Sequence, residues 1–212
     1  MIGAIIGDII GSPYEYQNIK KTEFPLFIER SNFTDDSVTT IAIADAILNK
    51  VDYGVSLKKW GRKFPRLDYG AHFRGWLFSN YSDPYNSWGN GSAMRVSPVG
   101  FAFNTLEKVL AEAKKSAEVT HNHPEGIKGA QVTASAIFLA RNGSSKPEIK
   151  EYIEKTFQYD LSKSLNEIRP LYEFDVSCQG SVPQAITSFL EGNDFEDTRR
   201  IFVARLRRKT HS

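Results

Sequence analysis

Residues 33–50 read FTDDSVTTIAIADAILNK, which places a polar turn directly before an apolar segment. Two adjacent acidic residues and a serine precede a strongly apolar run over residues 39–50, which ends in a lysine. Acidic and hydroxyl side chains cap helix N-termini, and basic side chains favour helix C-termini. The pattern therefore predicts a helix over residues 39–50 with Asp36 or Ser37 as its N-cap.

Helical patterns also dominate the rest of the chain. Small and apolar side chains fill residues 127–141, which predicts a buried helix that ends at Asn142-Gly143. Pro147 marks a helix start, and Pro183 falls near the first turn of a shorter helix. Because we find no repeat and no convincing strand pattern, the predicted fold class is all-α. The further predicted helices cover residues 106–117, 127–141, 147–157 and 182–190.

Two stretches lack helical periodicity and are predicted to be loops. Residues 22–33 contain Pro25 and several aromatic side chains. Residues 67–98 combine glycines, two prolines and many aromatic side chains. A loop of this length in a compact domain is uncommon unless it has a function, and its aromatic content argues against disorder. We therefore expect functional loops on a helical scaffold.

Length and composition are typical of a globular protein. The chain has 212 residues, of which 41% are hydrophobic and 25% are charged, so one domain with a sizeable core is expected. No apolar run approaches the ~20 residues of a membrane-spanning helix, and no signal peptide is expected, because a basic leader and a small-residue cleavage site are missing. The single cysteine, Cys178, excludes an internal disulfide, which fits a reducing compartment and predicts a cytoplasmic protein.

The net charge of +2 hides an uneven distribution. Residues 198–212 carry six basic side chains and no acidic one, which leaves 21 basic and 25 acidic residues, a net −4, in the rest of the chain. A basic tail fits either a solvated helix end or an arm for nucleic acid or a membrane surface. Because no glycine-rich loop accompanies the basic residues, the solvated end is favoured and a nucleic-acid partner is not expected.

The turn Thr34-Asp35-Asp36 is the most direct candidate for chemistry. Its hydroxyl and carboxylate groups are hard oxygen ligands, which magnesium and calcium prefer. Because a helix N-terminus is locally positive, a cation bound there needs more than one carboxylate. The alternative is that Asp36 caps the helix and Asp35 is solvated.

Three other segments could contribute to a site. In residues 7–15, two glycines permit close approach of a ligand. Glu15 in the same segment could act as an acid or base. The alternative is that this segment is a helix with an exposed glutamate. Residues 87–95 (SWGNGSAMR) form a glycine-rich loop whose N–H groups could bind phosphate, although a tight turn explains it equally well. His121 and His123 suit hydrogen bonding to a ligand better than zinc, because further ligands are missing.

The order of these segments is more specific than any one of them. The chain reads Gly-Asp-x-x-Gly before Glu15, then Phe-Thr-Asp-Asp-Ser, Tyr69-Gly70, Gly-Asn-Gly-Ser-Ala-Met-Arg and Thr-His-x-His-Pro. Over residues 1–197 this order resembles the ADP-ribosylglycohydrolase family. The resemblance implies a compact orthogonal all-α fold, a binuclear Mg²⁺ site, and hydrolysis of the glycosidic bond between ADP-ribose and a modified protein side chain or small acceptor.

The resemblance also implies roles for individual residues. Thr34, Asp35 and Asp36 match metal ligands, and Glu15 matches a glutamate on a mobile loop that covers the metals and the distal ribose. Glu15, Asp35 and Asp36 are thereby the expected catalytic residues. Their carboxylates would stabilise an oxocarbenium-like transition state, and magnesium would lower the pKa of a bound water. The expected substrate-binding residues are Tyr69, Gly70, Ser87, Trp88, Gly89, Asn90, Gly91, Met94 and His121.

The chain departs from the family near its C-terminus. Residues 198–212 stand where the family has a Gly-Gly-Asp-x-Asp-Thr block that completes the metal site. We therefore expect one magnesium ion or none, and a hydrolase impaired by an incomplete site. The alternative is a non-catalytic ADP-ribose-binding or structural member of the same fold. The shortened end is expected to expose apolar surface, which the basic tail or a second subunit would cover. One hypothesis for the unusual C-terminal sequence is a shifted reading frame or a shortened gene.

Overall fold

The computed structural model describes residues 1–15, 22–170, 172 and 175–203. Within these ranges regular structure is helical, apart from one isolated antiparallel bridge between Gly89 and Ser177, which confirms the predicted all-α class. In chain order the helices are α1 (Ile2–Gly11), α2 (Asp35–Asn49), α3 (Tyr53–Lys63), α4 (Ala71–Phe78), α5 (Gly91–Met94), α6 (Ser97–Ala102), α7 (Leu106–Glu118), α8 (Pro124–Arg141), α9 (Lys146–Phe157), α10 (Leu165–Ile168), α11 (Cys178–Glu191) and α12 (Phe195–Val203), and a 3₁₀ turn, Ser12–Tyr14, follows α1.

Helix α8 is the centre of the scaffold. It packs against α5, α6, α7, α9 and α11, and its buried positions are mostly glycine, alanine and serine, so neighbouring backbones approach it closely. One apolar cluster joins it to α2, α3, α4, α6 and α7 and includes the buried side chains of Ile43 and Leu57. A second joins it to α9 and α11 and includes Ile149 and Ile153. Helix α8 therefore contributes to both apolar clusters of the described residues.

Helix α2 begins at Asp35, four residues earlier than predicted, and its N-cap is Thr34. The backbone of Thr34 is extended, and its hydroxyl oxygen accepts a hydrogen bond from the Asp36 N–H at 3.2 Å. The predicted N-caps, Asp36 and Ser37, were therefore wrong. Both residues lie inside the first turn because a side chain from α1 holds Thr34 just outside it.

Three of the predicted helices are confirmed as α7, α8 and α9, each with ends within three residues of the prediction. The predicted helix over residues 182–190 starts too late. Helix α11 begins at Cys178, so Pro183 lies in its interior rather than near its first turn. The earlier start has a local cause, because the Ser177 hydroxyl oxygen accepts a hydrogen bond from the Gly180 N–H at 3.0 Å.

The prediction of one long loop over residues 67–98 was wrong. This segment contains α4, α5 and the start of α6. In α4 the buried side chains of Phe73, Trp76 and Leu77 follow the i, i+3, i+4 spacing of a helix. Helices of one or two turns offer few repeats of that spacing, so the periodic signal is weak in so short a stretch.

Helices α1 and α12 pack against each other on one side of the fold. Residues 22–33, which follow the first helix, contain no helix, as predicted, and the Tyr14 hydroxyl donates a hydrogen bond to the Pro25 carbonyl at 2.6 Å. Helix α12 continues across the predicted boundary between the helical domain, residues 1–197, and the basic tail, residues 198–212, and residues 204–212 lie outside the described ranges. None of the described helices combines the length and apolar character needed to cross a bilayer.

Candidate active site

Asp8 of α1 fixes the acidic turn at the start of α2. Its Oδ2 accepts hydrogen bonds from the N–H groups of Thr34 (2.8 Å) and Ser37 (3.2 Å) and from the Ser37 hydroxyl (2.5 Å). Its Oδ1 accepts one from the Thr34 hydroxyl at 2.6 Å. A carboxylate suits this place because the first N–H groups of a helix have no partner within it and carry partial positive charge. Asp8 thus caps α2 from another helix and holds residues 34–37 in one conformation.

Asp35 and Asp36 lie in a cluster of negative charge. Desolvation by burial raises the pKa of Asp35 from 3.8 to about 7, and the charges of Glu15, Asp8 and Asp68 add to the rise. Burial, followed by the charges of Asp35, Asp8 and Glu15, raises the pKa of Asp36 well above its ordinary value. Such carboxylates gain stability from a nearby cation.

The donor chemistry of this turn fits one magnesium ion. Carboxylate and hydroxyl oxygens are ligands that Mg²⁺ prefers, and mutually repelling carboxylates are stabilised by a divalent cation. In the described ranges, however, no three acidic, histidine or cysteine side chains are arranged to hold a metal together. Because Mg²⁺ usually keeps several waters and takes few protein ligands, Asp35 and Asp36 suit one hydrated ion better than a pair of ions.

The glycine loop over residues 87–91 is held by backbone hydrogen bonds to the segment before α11. The Asn90 N–H donates to the Val176 carbonyl at 2.7 Å, and the Cys178 N–H donates to the Trp88 carbonyl at 2.9 Å. The Trp88 side chain is 53% exposed and meets the His123 ring edge-on, with 5.8 Å between ring centroids. The loop therefore combines a fixed backbone with an exposed aromatic ring, a surface suited to stacking with a base.

His121 lies behind this loop. Its side chain is buried, its Nε2 lies 2.9 Å from the position that a Cβ on Gly91 would take, and its Nδ1 shares a 2.7 Å hydrogen bond with the Thr120 hydroxyl. Burial, with the added charge of Arg95, lowers the pKa of His121 to about 2. The ring is therefore neutral at physiological pH and supports the loop from within.

Buried side chains connect the acidic turn with the glycine loop. Burial raises the pKa of Tyr69 to about 12, and the nearby charge of Asp35 adds to this. The Tyr69 ring packs against Phe73 with 5.6 Å between centroids, and the Arg95 guanidinium lies 5.8 Å from the Phe73 centroid. Arg95 also donates a 2.8 Å hydrogen bond to the hydroxyl of Thr120, at the base of the loop. The two halves of the candidate site therefore belong to one connected cluster.

Gly126, in the first turn of α8, packs tightly against the glycine loop. A Cβ at this position would lie 2.6 Å from the Ser87 carbonyl oxygen and 2.8 Å from that of His121. Because both are backbone atoms, they cannot rotate away as a side chain would. We expect Gly126→Ala to lower the free energy of unfolding by about 1–3 kcal/mol, as overpacking usually does, which urea denaturation would measure.

Gly75→Ala is the matched control for this substitution. Gly75 is exposed within α4, and no heavy atom lies within 4 Å of the position of its Cβ. Alanine there should raise stability by roughly 0.5–1 kcal/mol, because it restricts the unfolded chain more than glycine does. Equal stability of the two variants would contradict the tight packing inferred for Gly126.

The residues expected from the sequence to form the site fall into two groups in the structure. The acidic group has Thr34, Asp35 and Asp36 at the start of α2. The charge of Glu15 acts on both aspartates, and the charge of Asp35 acts on Tyr69. Gly70 is exposed at the N-cap of α4. The remaining residues lie in the glycine loop, in α5 or behind them, and are Ser87, Trp88, Gly89, Asn90, Gly91, Met94 and His121.

The sequence analysis includes Asp8 and Arg95 in its candidate segments but gives neither a role, and it places Arg199 outside the site. A signal for Asp8 exists, since it is the single charge in the apolar run of residues 1–10, and a carboxylate in such a run needs donors. Arg95 is almost wholly buried, although nothing in its local sequence shows this. Arg199 was assigned to a solvated tail, but it is half-buried in α12 and its Nη2 donates to the Gly7 carbonyl of α1.

A separate cavity of about 530 Å³ lies between α8, α11 and the segment that leads from α9 into α10. Glu125, Lys128, Tyr159 and Pro183 contribute to its lining, and none of the expected site residues does. The candidate site is therefore identified by its carboxylates and its glycine loop, and it does not coincide with this cavity.

Comparisons with known proteins identify the family of the chain. A family model described as ADP-ribosylglycohydrolase matches residues 1–207. The chain is 28% identical over 183 residues to ADP-ribosylhydrolase ARH3 of Mus musculus, covering 70% of this chain and 50% of that protein. It is 28% identical over 177 residues to ADP-ribosylarginine hydrolase Tri1 of Pseudomonas putida (strain GB-1), covering 70% and 47%. The chain thus spans about half the length of the curated relatives it matches.

The fold has a counterpart among solved structures. A chain from an "ADP-ribosylglycohydrolase-related protein complex" superposes with a TM-score of 0.73 at 18% sequence identity. The match covers 97% of this chain and 79% of that one. At this level of identity the likeness establishes a shared fold.

Proposed function

Because the chain belongs to the ADP-ribosylglycohydrolase family, we propose that it hydrolyses the glycosidic bond between ADP-ribose and a modified acceptor, with magnesium as cofactor. The observation that carries this proposal is the pair of desolvated carboxylates, Asp35 and Asp36, in a turn that Asp8 holds rigidly. One relative is named as an ADP-ribosylarginine hydrolase, so an arginine-linked substrate is the first to test.

The acidic turn would act directly on the bond that breaks. Asp35 and Asp36, with the Thr34 hydroxyl beside them, would hold one magnesium ion, which supplies orientation of the ribose hydroxyls and a bound water of lowered pKa. Positive charge develops on the anomeric carbon as the glycosidic bond breaks, and nearby carboxylates stabilise it. Glu15, whose charge reaches both aspartates, is assigned to take the proton of the attacking water as its oxygen bonds to the anomeric carbon, and to return that proton to the acceptor atom that leaves.

The glycine loop would bind the rest of ADP-ribose. The N–H groups of Gly89 and Asn90 already donate within the protein, at 3.1 Å to the Ser87 hydroxyl and 2.7 Å to a carbonyl. We therefore assign the diphosphate to the neighbouring amides of Trp88 and Gly91, and the adenine to the exposed face of Trp88. The other expected ligand residues, Tyr69, Gly70, Met94 and His121, complete or support this surface.

A second candidate function is binding of ADP-ribose without turnover. Within the described ranges the two aspartates have no third acidic ligand arranged with them around a metal, and Asp36 already faces the positive charge of Arg199. Both features would weaken a metal site without affecting the glycine loop. A binding protein would then keep the loop and lose the chemistry.

Two measurements on the purified chain separate these functions. An ADP-ribosylarginine peptide is incubated with the protein in magnesium or in EDTA, and released ADP-ribose is quantified. Calorimetric titration with ADP-ribose is carried out under the same two conditions. Release that requires magnesium supports the hydrolase, whereas magnesium-independent binding without release supports the binding protein. Neither release nor binding would contradict both.

A further inference from the structure

Arg199 of α12 places its guanidinium against α1 at Gly7, the residue before Asp8, which caps the acidic turn. Its Nη2 donates a hydrogen bond to the Gly7 carbonyl, and its Cζ lies 2.6 Å from the position that a Cβ on Gly7 would take. The same Nη2 lies 3.7 Å from the Cβ position of Gly11. The side chain therefore lies along the face of α1 that carries Gly7 and Gly11. Only glycine at position 7, which has no Cβ, leaves room for it.

The positive charge of Arg199 acts on the carboxylates of the acidic turn. Asp36 and Asp8 are the charges that attract it, and Arg199 in turn stabilises the ionised form of Asp36. Its Nε is buried and has no hydrogen-bond partner among the residues that the structure describes. A desolvated cation with one unpaired donor thus faces a desolvated group of anions.

A divalent ion bound by Asp35 and Asp36 would be exposed to the positive charge of the guanidinium, which already acts on Asp36. Two positive charges near one group of carboxylates repel each other, and salt screens that repulsion poorly where water is largely excluded. Arg199 also neutralises part of the negative charge that would attract the ion. Both effects lower the affinity of the turn for a metal.

We infer that Arg199 is a built-in competitor for magnesium, so that the position of this one side chain sets the metal affinity of the acidic turn. This role rests on the proposed function, because magnesium is the ion assigned to Asp35 and Asp36. It adds to that function a residue from α12, a helix that contributes no ligand to the site.

The direct test is magnesium titration by calorimetry on the full chain. Arg199→Met keeps the apolar stem of the side chain and removes its charge, and we expect magnesium to bind about tenfold more tightly, equivalent to about 1.4 kcal/mol. Arg200→Met is the charge-matched control. Arg200 is on the same helix but pairs with Glu196 at 2.7 Å, so its loss should change the affinity less than twofold.

A second pair of variants moves the guanidinium without changing the net charge. In Gly7→Ala the new Cβ would lie 2.6–2.9 Å from the Cζ, Nη1 and Nη2 atoms of Arg199, the flexible end of that side chain, which must swing away. In Gly11→Ala the nearest Arg199 atom is 3.7 Å away, an ordinary contact. We expect Gly7→Ala to tighten magnesium binding as Arg199→Met does, and Gly11→Ala to leave it unchanged.

The outcomes distinguish this role from the proposed function. Tighter binding in Arg199→Met and Gly7→Ala, with both controls unchanged, supports the role of Arg199, and Gly7→Ala decides the matter if Arg199→Met fails to fold. Wild-type affinity in both variants would overturn it while leaving the magnesium site intact. Absence of magnesium binding in every variant and in the wild type would overturn the magnesium site, and this role with it.

Discussion

The double variant Asp35→Asn/Asp36→Asn is expected to lose magnesium binding and to release ADP-ribose at least about 100-fold more slowly than the wild type. Asparagine keeps the size of each side chain, but it removes the charges that would hold the ion and stabilise the positive charge of the transition state. A 100-fold loss corresponds to about 2.7 kcal/mol of transition-state stabilisation. Single-turnover release of ADP-ribose, measured beside magnesium titration, checks both effects.

The same variant should be more stable than the wild type when magnesium is removed. The pKa of Asp35 is about 7 in the folded protein and near 3.8 in the unfolded chain. The Asp35 carboxyl therefore binds a proton more tightly in the folded state. Stability therefore falls as pH rises from about 4 to about 7, by at most about 4 kcal/mol. Asparagine does not ionise, so the variant should lack this fall in EDTA.

Asp45→Asn is the matched control on the same helix. Asp45 accepts hydrogen bonds from the Trp60 indole N–H at 2.9 Å and from Lys59 at 3.0 Å, and these interactions lower its pKa. Its substitution should leave magnesium binding and turnover unchanged. Wild-type turnover in the double variant would contradict the role given to the acidic turn, and equal stability at pH 8 in EDTA would contradict its desolvation.

The parts of this fold that the sequence predicts well depend on local interactions. Helix α7 carries apolar residues at helical spacing in a charged segment, and α9 begins with Lys146-Pro147 after Ser145, whose hydroxyl caps the helix. In each case the residues that define the element lie within a few positions of one another. The acidic turn is also local, since Thr34, Asp35 and Asp36 are consecutive.

The parts that it predicts poorly depend on contacts between distant residues. The start of α2 is displaced because Asp8, 26 residues before Thr34, supplies the capping interactions. Helix α4 is stable because Phe73, Trp76 and Leu77 enter the main core, and that core is formed by helices from much of the chain. Neither effect is visible in the composition of the segment concerned.

Arg95 and Arg199 also could not be predicted from local sequence, because their positions depend on contacts with distant residues. The fold buries Arg95 almost wholly and Arg199 in part, against the general tendency of arginine to stay exposed. The burial of Arg95 is tolerated because its guanidinium donates hydrogen bonds to the Ser116 carbonyl at 3.1 Å and to the Thr120 hydroxyl at 2.8 Å. A sequence gives the number of such charges but not the partners that make burial tolerable.

Asp8→Ala is expected to cost about 3–4 kcal/mol of stability, a large part of the 5–15 kcal/mol that typically holds a domain of this kind together. The variant removes four hydrogen bonds to a charged acceptor, and Ser37, which donates two of them, is 2% exposed. Donors left buried without a partner cost about 1–3 kcal/mol each, so the loss should exceed that of an ordinary cap. Urea denaturation of the two proteins gives the difference.

Asp52→Ala provides the comparison that isolates this effect. Asp52 caps α3 through one hydrogen bond, from the Val55 N–H at 3.0 Å, and its loss should cost about 1 kcal/mol. Asp8→Ala should also weaken magnesium binding although Asp35 and Asp36 remain, because the turn that positions them loses its support, whereas Asp52→Ala should not. If the two variants lost equal stability, or if Asp8→Ala bound magnesium as the wild type does, Asp8 would be an ordinary cap and the acidic turn would hold its shape without α1.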